Sequence, residues 1–355
     1  MNKKLKSVLT ISILLSGIFI TKYANADSIS PKINNYKKMN EKELSKTLKA
    51  LDKDQLLNDV NEISYLIPRT GFSSIAADLL GRVDEFSSEE LIQEISDESN
   101  TEVFSEVLVE LYNYKANTSK NTSKNNSELK GLLKDDKTKK SVKKKIILDS
   151  SFTKEDEPLL VELINLNDES LSSSSLKKLS KLNSQKAKEI STKLLSDSKT
   201  NERLISQSQK SISKELKESK NKAEISSFIK ETINRFNEST SQIVKDSAMY
   251  SLAELSDLDA FKSIINSDAD KDLKVYAIDV NYKFIDQLLD NTSLSNNDLT
   301  FVLECMTILP INNAKSKLEA INKNVSYKDL SKQLNEVIKL IELNGMDANN
   351  KWNIK

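Results

Sequence analysis

Glycine and proline are scarce in this chain, and that scarcity limits the folds it can adopt. Only five glycines and four prolines occur in 355 residues. Sheet proteins and nucleotide-binding folds need glycine for tight turns and phosphate loops, so neither class suits this composition. From Asn40 onward, apolar residues instead recur at three- and four-residue spacing, which is the period of an α-helix. The sequence therefore predicts an all-α fold of helices joined by polar turns.

The first 26 residues differ from the rest and have the layout of a secretory signal peptide. A basic start, an apolar run and a small-x-small site follow one another: Lys3, Lys4 and Lys6, then Ser7–Ile20, then Ala24-Asn25-Ala26. The apolar run is short for a membrane-spanning helix, although an uncleaved anchor is the alternative interpretation. Cleavage is expected between Ala26 and Asp27, and no cysteine directly follows the apolar run to carry a lipid. The mature chain is thus predicted to be secreted, without a transmembrane segment.

A longer period overlies the helical one in the second half of the chain. The clearest unit has two apolar helix faces, made of Val244, Ala248, Leu252 and Leu255, and of Ala260, Phe261, Ile264 and Ile265. The pattern then restarts with a first-helix face predicted at Leu273, Ala277, Val280, Phe284 and Leu288. Weaker units are marked by polar turns predicted to cap the next helix, at Asp97, Asp135, Asp168, Asp197, Glu238 and Asp268.

These units resemble HEAT repeats, a family of helix pairs of roughly thirty to forty residues. The resemblance rests on an apolar-basic pair followed by a small residue and a leucine, as in Val244-Lys245 with Ala248 and Leu252. Leu273-Lys274 followed by Ala277 repeats part of this pattern. The resemblance implies an α-solenoid, because one helix pair cannot bury its apolar face without stacking on its neighbours. Another helical solenoid and a bundle of long helices are the alternatives.

The predicted organisation has six parts: a signal peptide (1–26), a linker (27–39), N-terminal helical repeats (40–115), a disordered loop insertion (116–126), a repeat solenoid (127–345) and a C-terminal tail (346–355). The insertion is placed by a run of Asn, Thr, Ser and Lys between 117 and 126. The first helix from Asn40 and the last helix, predicted at Lys328–Glu342, are expected to cap the array.

Catalytic residue types are few. Histidine is absent from the sequence, which removes the commonest general base near neutral pH and the commonest zinc ligand. The single cysteine, Cys305, lies in an apolar run and is predicted to be a buried small hydrophobe. Paired carboxylates remain available for glycoside hydrolysis, but aromatic residues make up only 6% of the chain and form no sugar platform. The chain is therefore expected to be neither an enzyme nor a cofactor-binding protein.

Three alternating aspartates, Asp268, Asp270 and Asp272, match the opening of a calcium-binding loop. The loop position that requires glycine is Leu273, however, and the position of the final glutamate is Asp279. We favour a turn whose aspartates cap the next helix. A calcium site is the alternative.

Charge is segregated along the chain. Asp84–Glu110 contains ten acidic residues and no basic one, whereas Lys115–Lys145 contains eleven lysines. Because consecutive repeats are neighbours, the acidic and basic strips should adjoin. The candidate residues for binding an anionic partner are six lysines on a short predicted helix and its entry: Lys137, Lys139, Lys140, Lys143, Lys144 and Lys145. A solvated face is the alternative interpretation.

These patterns predict a secreted, non-catalytic scaffold whose solenoid surface binds a protein or an anionic polymer, such as teichoic acid, a glycosaminoglycan or a phospholipid surface. Nucleic acid is not expected, because the lysine-rich stretch lacks arginine and stacking aromatics. The alternative is a structural or assembly protein of a bacterial envelope or spore layer. A Lys- and Asn-rich composition with one cysteine is typical of exported proteins from Gram-positive bacteria with AT-rich genomes.

Overall fold

A computed structural model describes residues 36, 38–67, 74–118, 122–166 and 168–347. These residues form 18 α-helices with short 3₁₀ turns between some of them, and one isolated parallel bridge joins Ile311 to Met346. The all-α prediction is confirmed. The predicted signal peptide lies outside the described residues, and within them no helix has both the length and the apolar character needed to cross a membrane.

The helices fall into two units, the first ending at Thr153 and the second beginning at Lys154. Unit 1 contains α1 (Glu41–Lys49), α2 (Lys53–Ile63), α3 (Ser74–Gly81), α4 (Ser88–Ser96), α5 (Glu102–Thr118), α6 (Thr122–Gly131) and α7 (Lys140–Asp149). Unit 2 contains α8 (Glu157–Ile164), α9 (Glu169–Leu182), α10 (Ser184–Ser196), α11 (Glu202–Ser219), α12 (Lys222–Glu238), α13 (Gln242–Glu254), α14 (Leu258–Ile265), α15 (Lys271–Leu289), α16 (Asn296–Ile308), α17 (Lys315–Asn322) and α18 (Ser331–Asn344).

Polar side chains cap many of the described helices, as the sequence predicts, but some predicted caps are displaced. Asp168 caps α9 by accepting from the first free backbone N–H groups of that helix. Asp97 and Asp197 instead accept from the N–H two residues later, at 2.8 and 2.9 Å, and so close an Asx turn. The helix after Asp197 is capped by Asn201. The acidic residues therefore mark the turns, while the cap belongs to whichever short polar side chain stands next to the first helical turn.

The helices of unit 2 from α9 to α16 form two layers. Four of them, α9, α11, α13 and α15, run side by side, and we call them the second layer. Ser213 on α11 donates to the carbonyl of Ser251 on α13 at 2.5 Å, and Ser247 on α13 bonds to Gln209 on α11. Both bonds join residues 38 positions apart, so α11 and α13 are parallel and keep a constant offset. Asn281 extends the layer, because its amide on α15 donates to a carbonyl of α13 at 2.9 Å.

The helices α10, α12, α14 and α16 form the first layer of unit 2, and ion pairs link the start of each helix to the one before it. Three pairs recur: Lys188 with Glu224, Lys222 with Asp257 (3.2 Å) and Lys262 with Asp298 (2.6 Å). Each joins residues 35 or 36 positions apart, and each acid lies at a helix N-terminus, where negative charge is favoured. Exposed pairs of this kind stabilise little individually. Their regular spacing nevertheless identifies a recurring helix-pair unit, so the predicted solenoid-like stacking is confirmed.

The hydrophobic core of unit 2 contains the clearest unit predicted from the sequence. All eight residues of its two faces are buried: Val244, Ala248, Leu252, Leu255, Ala260, Phe261, Ile264 and Ile265. Phe261 on α14 meets Phe301 on α16 edge-on, with ring centroids 5.2 Å apart. Edge-to-face contact is the favoured geometry for an aromatic pair. The apolar pattern therefore predicted this part of the core residue by residue.

The face predicted for α15 is partly wrong. Leu273 and Ala277 are buried as expected, but Val280 is 39% exposed. The buried face continues instead through Asn281 and Ile285. Asn281 can occupy a buried position because its amide donates to the carbonyls of α13 and of its own helix. An apolar pattern cannot reveal a buried residue whose side-chain N–H donors are satisfied in this way.

The helices extend into the segment predicted as a disordered loop, 116–126. Helix α5 continues to Thr118 and α6 begins at Thr122, while residues 119–121 lie outside the described residues. Helix α5 extends this far because its apolar face does: Tyr112 and Ala116 are both buried. Helical structure therefore covers residues 116–118 and 122–126 of the segment predicted as a loop.

The predicted linker and tail both make contacts where they meet the helices. Tyr36, inside the predicted linker, is buried and donates a hydrogen bond to Asp59 on α2 at 2.7 Å. At the other end, Met346 accepts from the N–H of Asn312 at 2.9 Å and donates to the carbonyl of Pro310 at 3.0 Å. The linker up to residue 35 and the tail from residue 348 lie outside the described residues.

Candidate functional site

The six lysines predicted to bind an anionic partner lie on α7 and on the turn before it. Lys137 and Lys140 are exposed, and the other four are half-buried. Lys139 donates to the backbone carbonyl of Asn100, at the turn between α4 and α5. This lysine therefore holds the turn before α7 against an earlier turn of unit 1.

The acidic strip lies against α7, as the segregated charges predict. Lys145 binds Glu110 on α5 and, at 2.6 Å, Asp149 on its own helix. Burial alone would lower the pKa of Lys145, but the two carboxylates outweigh burial and raise it. Burial also raises the pKa of Glu106 and Glu110, although Lys145 opposes the change. Positive and negative charge partly cancel here, so α7 presents a weaker positive field than its lysine content suggests.

The three aspartates considered for calcium lie in the turn before α15. Asp270 is the N-cap of that helix and accepts from the N–H of Leu273 at 2.9 Å. Asp268, Asp270 and Asp272 are all exposed. In the part of the chain that the structure describes, no group of three His, Cys, Asp or Glu side chains is arranged to hold a metal ion. The capping interpretation accounts for Asp270.

Cys305 is fully buried in α16, as predicted. Burial raises the pKa of its thiol well above the ordinary value. A nucleophilic cysteine requires an accessible thiolate. Cys305 therefore serves packing in this fold.

A second basic surface lies on α9 and α11 of unit 2. It consists of Lys177 and Lys181 on α9 and of Lys210, Lys214 and Lys217 on α11. All are exposed except Lys214, which is half-buried. We call these five residues the lysine face.

The register of α9 and α11 brings the two rows of the lysine face side by side. Near the start of both helices, the guanidinium of Arg203 lies 3.3 Å from the carboxylate of Glu169. Near their ends, Lys214 donates to the carbonyl of Ser180 at 2.8 Å, and these two residues are 34 positions apart. Arg203 and Glu169 are also 34 positions apart, so the two helices are parallel and keep a constant offset. Lys177 and Lys181 consequently lie beside the row on α11.

Charge counted along the chain does not reveal the lysine face, because its lysines lie on two separate helices and acidic residues adjoin the end of the row on α11. Glu215, for example, directly follows Lys214, but it is buried and pairs with Lys188 at 2.8 Å. The helical spacing of Lys210, Lys214 and Lys217 carries the signal, since residues three or four apart share one face. Counting charge by helix face would have identified this surface.

No protein-family model, curated protein or solved structure matches the chain.

Proposed function

We propose that the chain is an exported, non-catalytic scaffold of HEAT-like helix pairs that binds a protein or an anionic polymer on the outer side of its second-layer helices. The observation that carries the proposal is the constant register of the second layer, which places exposed side chains of successive helices in adjacent rows. A repeat array of this kind provides an extended binding surface instead of an enclosed pocket.

The chemistry of the chain also favours binding over catalysis. The sequence contains no histidine, and the one thiol, at Cys305, is buried. Several carboxylates of unit 2 have structural roles at helix starts, including Asp257, Asp270 and Asp298. These acids cap helices or pair with lysine, which accounts for them without a substrate.

Export is expected to remove the first 26 residues. Expressed from the full gene in a Gram-positive host, the protein should accumulate in the culture medium with an intact mass that begins at Asp27. Replacing both Ala24 and Ala26 by leucine should block processing, because signal peptidase requires small residues there. Intact-mass spectrometry of medium and cell fractions measures both effects. Retention of wild-type chain in the cells, with the N-terminal segment intact, would contradict the export half of the proposal.

The mature chain is expected to bind a partner without changing it. After incubation with soluble anionic polymers and with solubilised envelope proteins, bound material should be recovered at its original length. Binding to a polymer should weaken as salt is raised from about 50 to 200 mM. Size-exclusion chromatography of the recovered partner checks for cleavage. Shortened polymer, or no binding to either class of partner, would overturn the scaffold proposal.

A further inference from the structure

The lysine face is a positive surface of unit 2 whose exposed ammonium groups have no carboxylate partner in the part of the chain that the structure describes. Among the described residues, its four exposed members have no carboxylate within 4 Å: Lys177, Lys181, Lys210 and Lys217. No acidic residue occurs between positions 170 and 182 on α9 or between 203 and 214 on α11. Of the acids nearby, Glu169 pairs with Arg203, and Glu218 accepts from the hydroxyl of Ser184 at 3.1 Å.

The α7 lysines of unit 1 provide an internal comparison. They belong to a segment with a higher lysine content, yet Lys145 is engaged by two carboxylates. Within the described residues, Lys214 is the one member of the lysine face whose ammonium group donates a hydrogen bond, and its acceptor is a neutral carbonyl. A neutral acceptor leaves the positive charge of Lys214 available to an anion. The lysine face therefore keeps a larger share of its charge.

The residues around the lysine face restrict the class of anion. None of the exposed large apolar side chains in the described part of the chain lies on α9 or α11. Half-buried Ser173, Ser206 and Gln207 also lie on α9 and α11, and the apolar Leu182 and Ile205 of these helices are half-buried as well. Because α9 and α11 present no exposed aromatic or large apolar side chain, these two helices offer no stacking platform for bases and nothing to insert into a bilayer. Electrostatic contact with a flexible, water-soluble polyanion is the interaction that remains.

The spacing of the charges favours a phosphodiester chain. Lys177 and Lys181 are four residues apart, as are Lys210 and Lys214, which corresponds to a rise of about 6 Å along the helix. A polymer whose phosphates are separated by three-carbon linkers repeats its charge on a similar length scale. Lysine ammonium groups bind phosphate as point charges, without the fixed geometry that an arginine fork demands. A flexible chain can therefore satisfy the two adjacent rows in more than one alignment.

We propose that the lysine face is the binding surface for a linear polyphosphodiester of the bacterial cell envelope. The inference rests on the proposed function, because only an exported scaffold meets such a polymer. It adds to that function a surface, a ligand class and a mode of recognition in which each lysine contacts a separate phosphate.

The test uses the full mature chain and synthetic poly(glycerol phosphate) as the probe. The variant Lys177→Gln/Lys181→Gln/Lys210→Gln/Lys217→Gln removes the four exposed charges and leaves the hydrogen bond of Lys214 in place. A matched control, Lys137→Gln/Lys140→Gln/Lys143→Gln/Lys144→Gln, makes the same change in net charge on unit 1. Circular dichroism and thermal unfolding establish that both variants fold like the wild type.

We expect the lysine-face variant to bind at least about tenfold more weakly in low salt and the control less than about threefold. The dependence of log affinity on log salt should flatten by about three in the lysine-face variant. Heparin, phosphatidylglycerol vesicles and single-stranded DNA are titrated in parallel, and each should bind more weakly than the phosphate polymer.

Equal losses in the two variants, an unchanged affinity of the lysine-face variant, or tighter binding to any of the other three polyanions would overturn the inference. Binding to an envelope protein alone would also overturn it, while leaving the scaffold proposal intact.

Discussion

Replacing Phe261 by alanine is expected to lower the free energy of unfolding of unit 2 by about 3–5 kcal/mol. Phe261 has no exposed surface, and its ring packs edge-on against Phe301 at 5.2 Å between centroids. Truncation removes the transfer free energy of the ring and leaves a cavity between two first-layer helices, because a stacked pair relaxes only partly. The aromatic contact itself contributes about 0.5–1.5 kcal/mol of that total.

Guanidinium unfolding followed by circular dichroism measures this change, with the two units fitted as separate transitions where they appear separately. The control is Val280→Ala, which also truncates an apolar residue of unit 2 but at a position 39% exposed. That control should change the free energy of unfolding by less than about 0.5 kcal/mol. If Val280→Ala destabilised unit 2 as much as Phe261→Ala, the helix faces assigned to α14 and α15 would be incorrect.

The contrast between Phe261 and Val280 also shows which buried positions apolar periodicity can predict in this chain. The pattern identified every buried position of α13 and α14 that it named. Apolar residues form the whole buried face of α14 and most of that of α13, so the helical period and the buried face coincide. On α15 the pattern was wrong at Val280, which turns outward, and it missed Asn281, which is buried and donates hydrogen bonds. Periodicity reports which residues are apolar, whereas burial also depends on which polar groups find partners.

The candidate binding surface was harder to predict for a related reason. The density of lysine along the chain pointed to α7, where packing brings Glu110 against Lys145. The lysine face has a lower density, but its register sets the lysines of α9 beside those of α11 and directs Glu215 inward. The net field of a surface depends on neighbours that are 34 positions apart in the chain, and local charge counts do not contain that information.

A second large loss of stability is expected when Ala248 is enlarged to leucine. Ala248 is fully buried on α13, on the face that it shares with Val244 and Leu252, and this face belongs to the hydrophobic core of unit 2. The helices α12 and α14 pack against α13, so a longer side chain must displace a helix or adopt an unfavourable rotamer. Overpacking of this kind costs about 1–3 kcal/mol.

The position of Ala248 makes the substitution a test of the repeat as well as of one contact. Helix α13 is tied to α11 by the bonds Ser247–Gln209 and Ser213–Ser251, so it cannot easily move outward to make room. We therefore expect Ala248→Leu to lower the midpoint of guanidinium unfolding and to increase amide hydrogen exchange in α11 as well as in α13. The matched control is Ala223→Leu on the exposed side of α12, which should leave both measurements nearly unchanged. If faster exchange stayed confined to α13, the stability of α11 would not depend on its packing against α13. The stacked-repeat account of unit 2 would then be wrong.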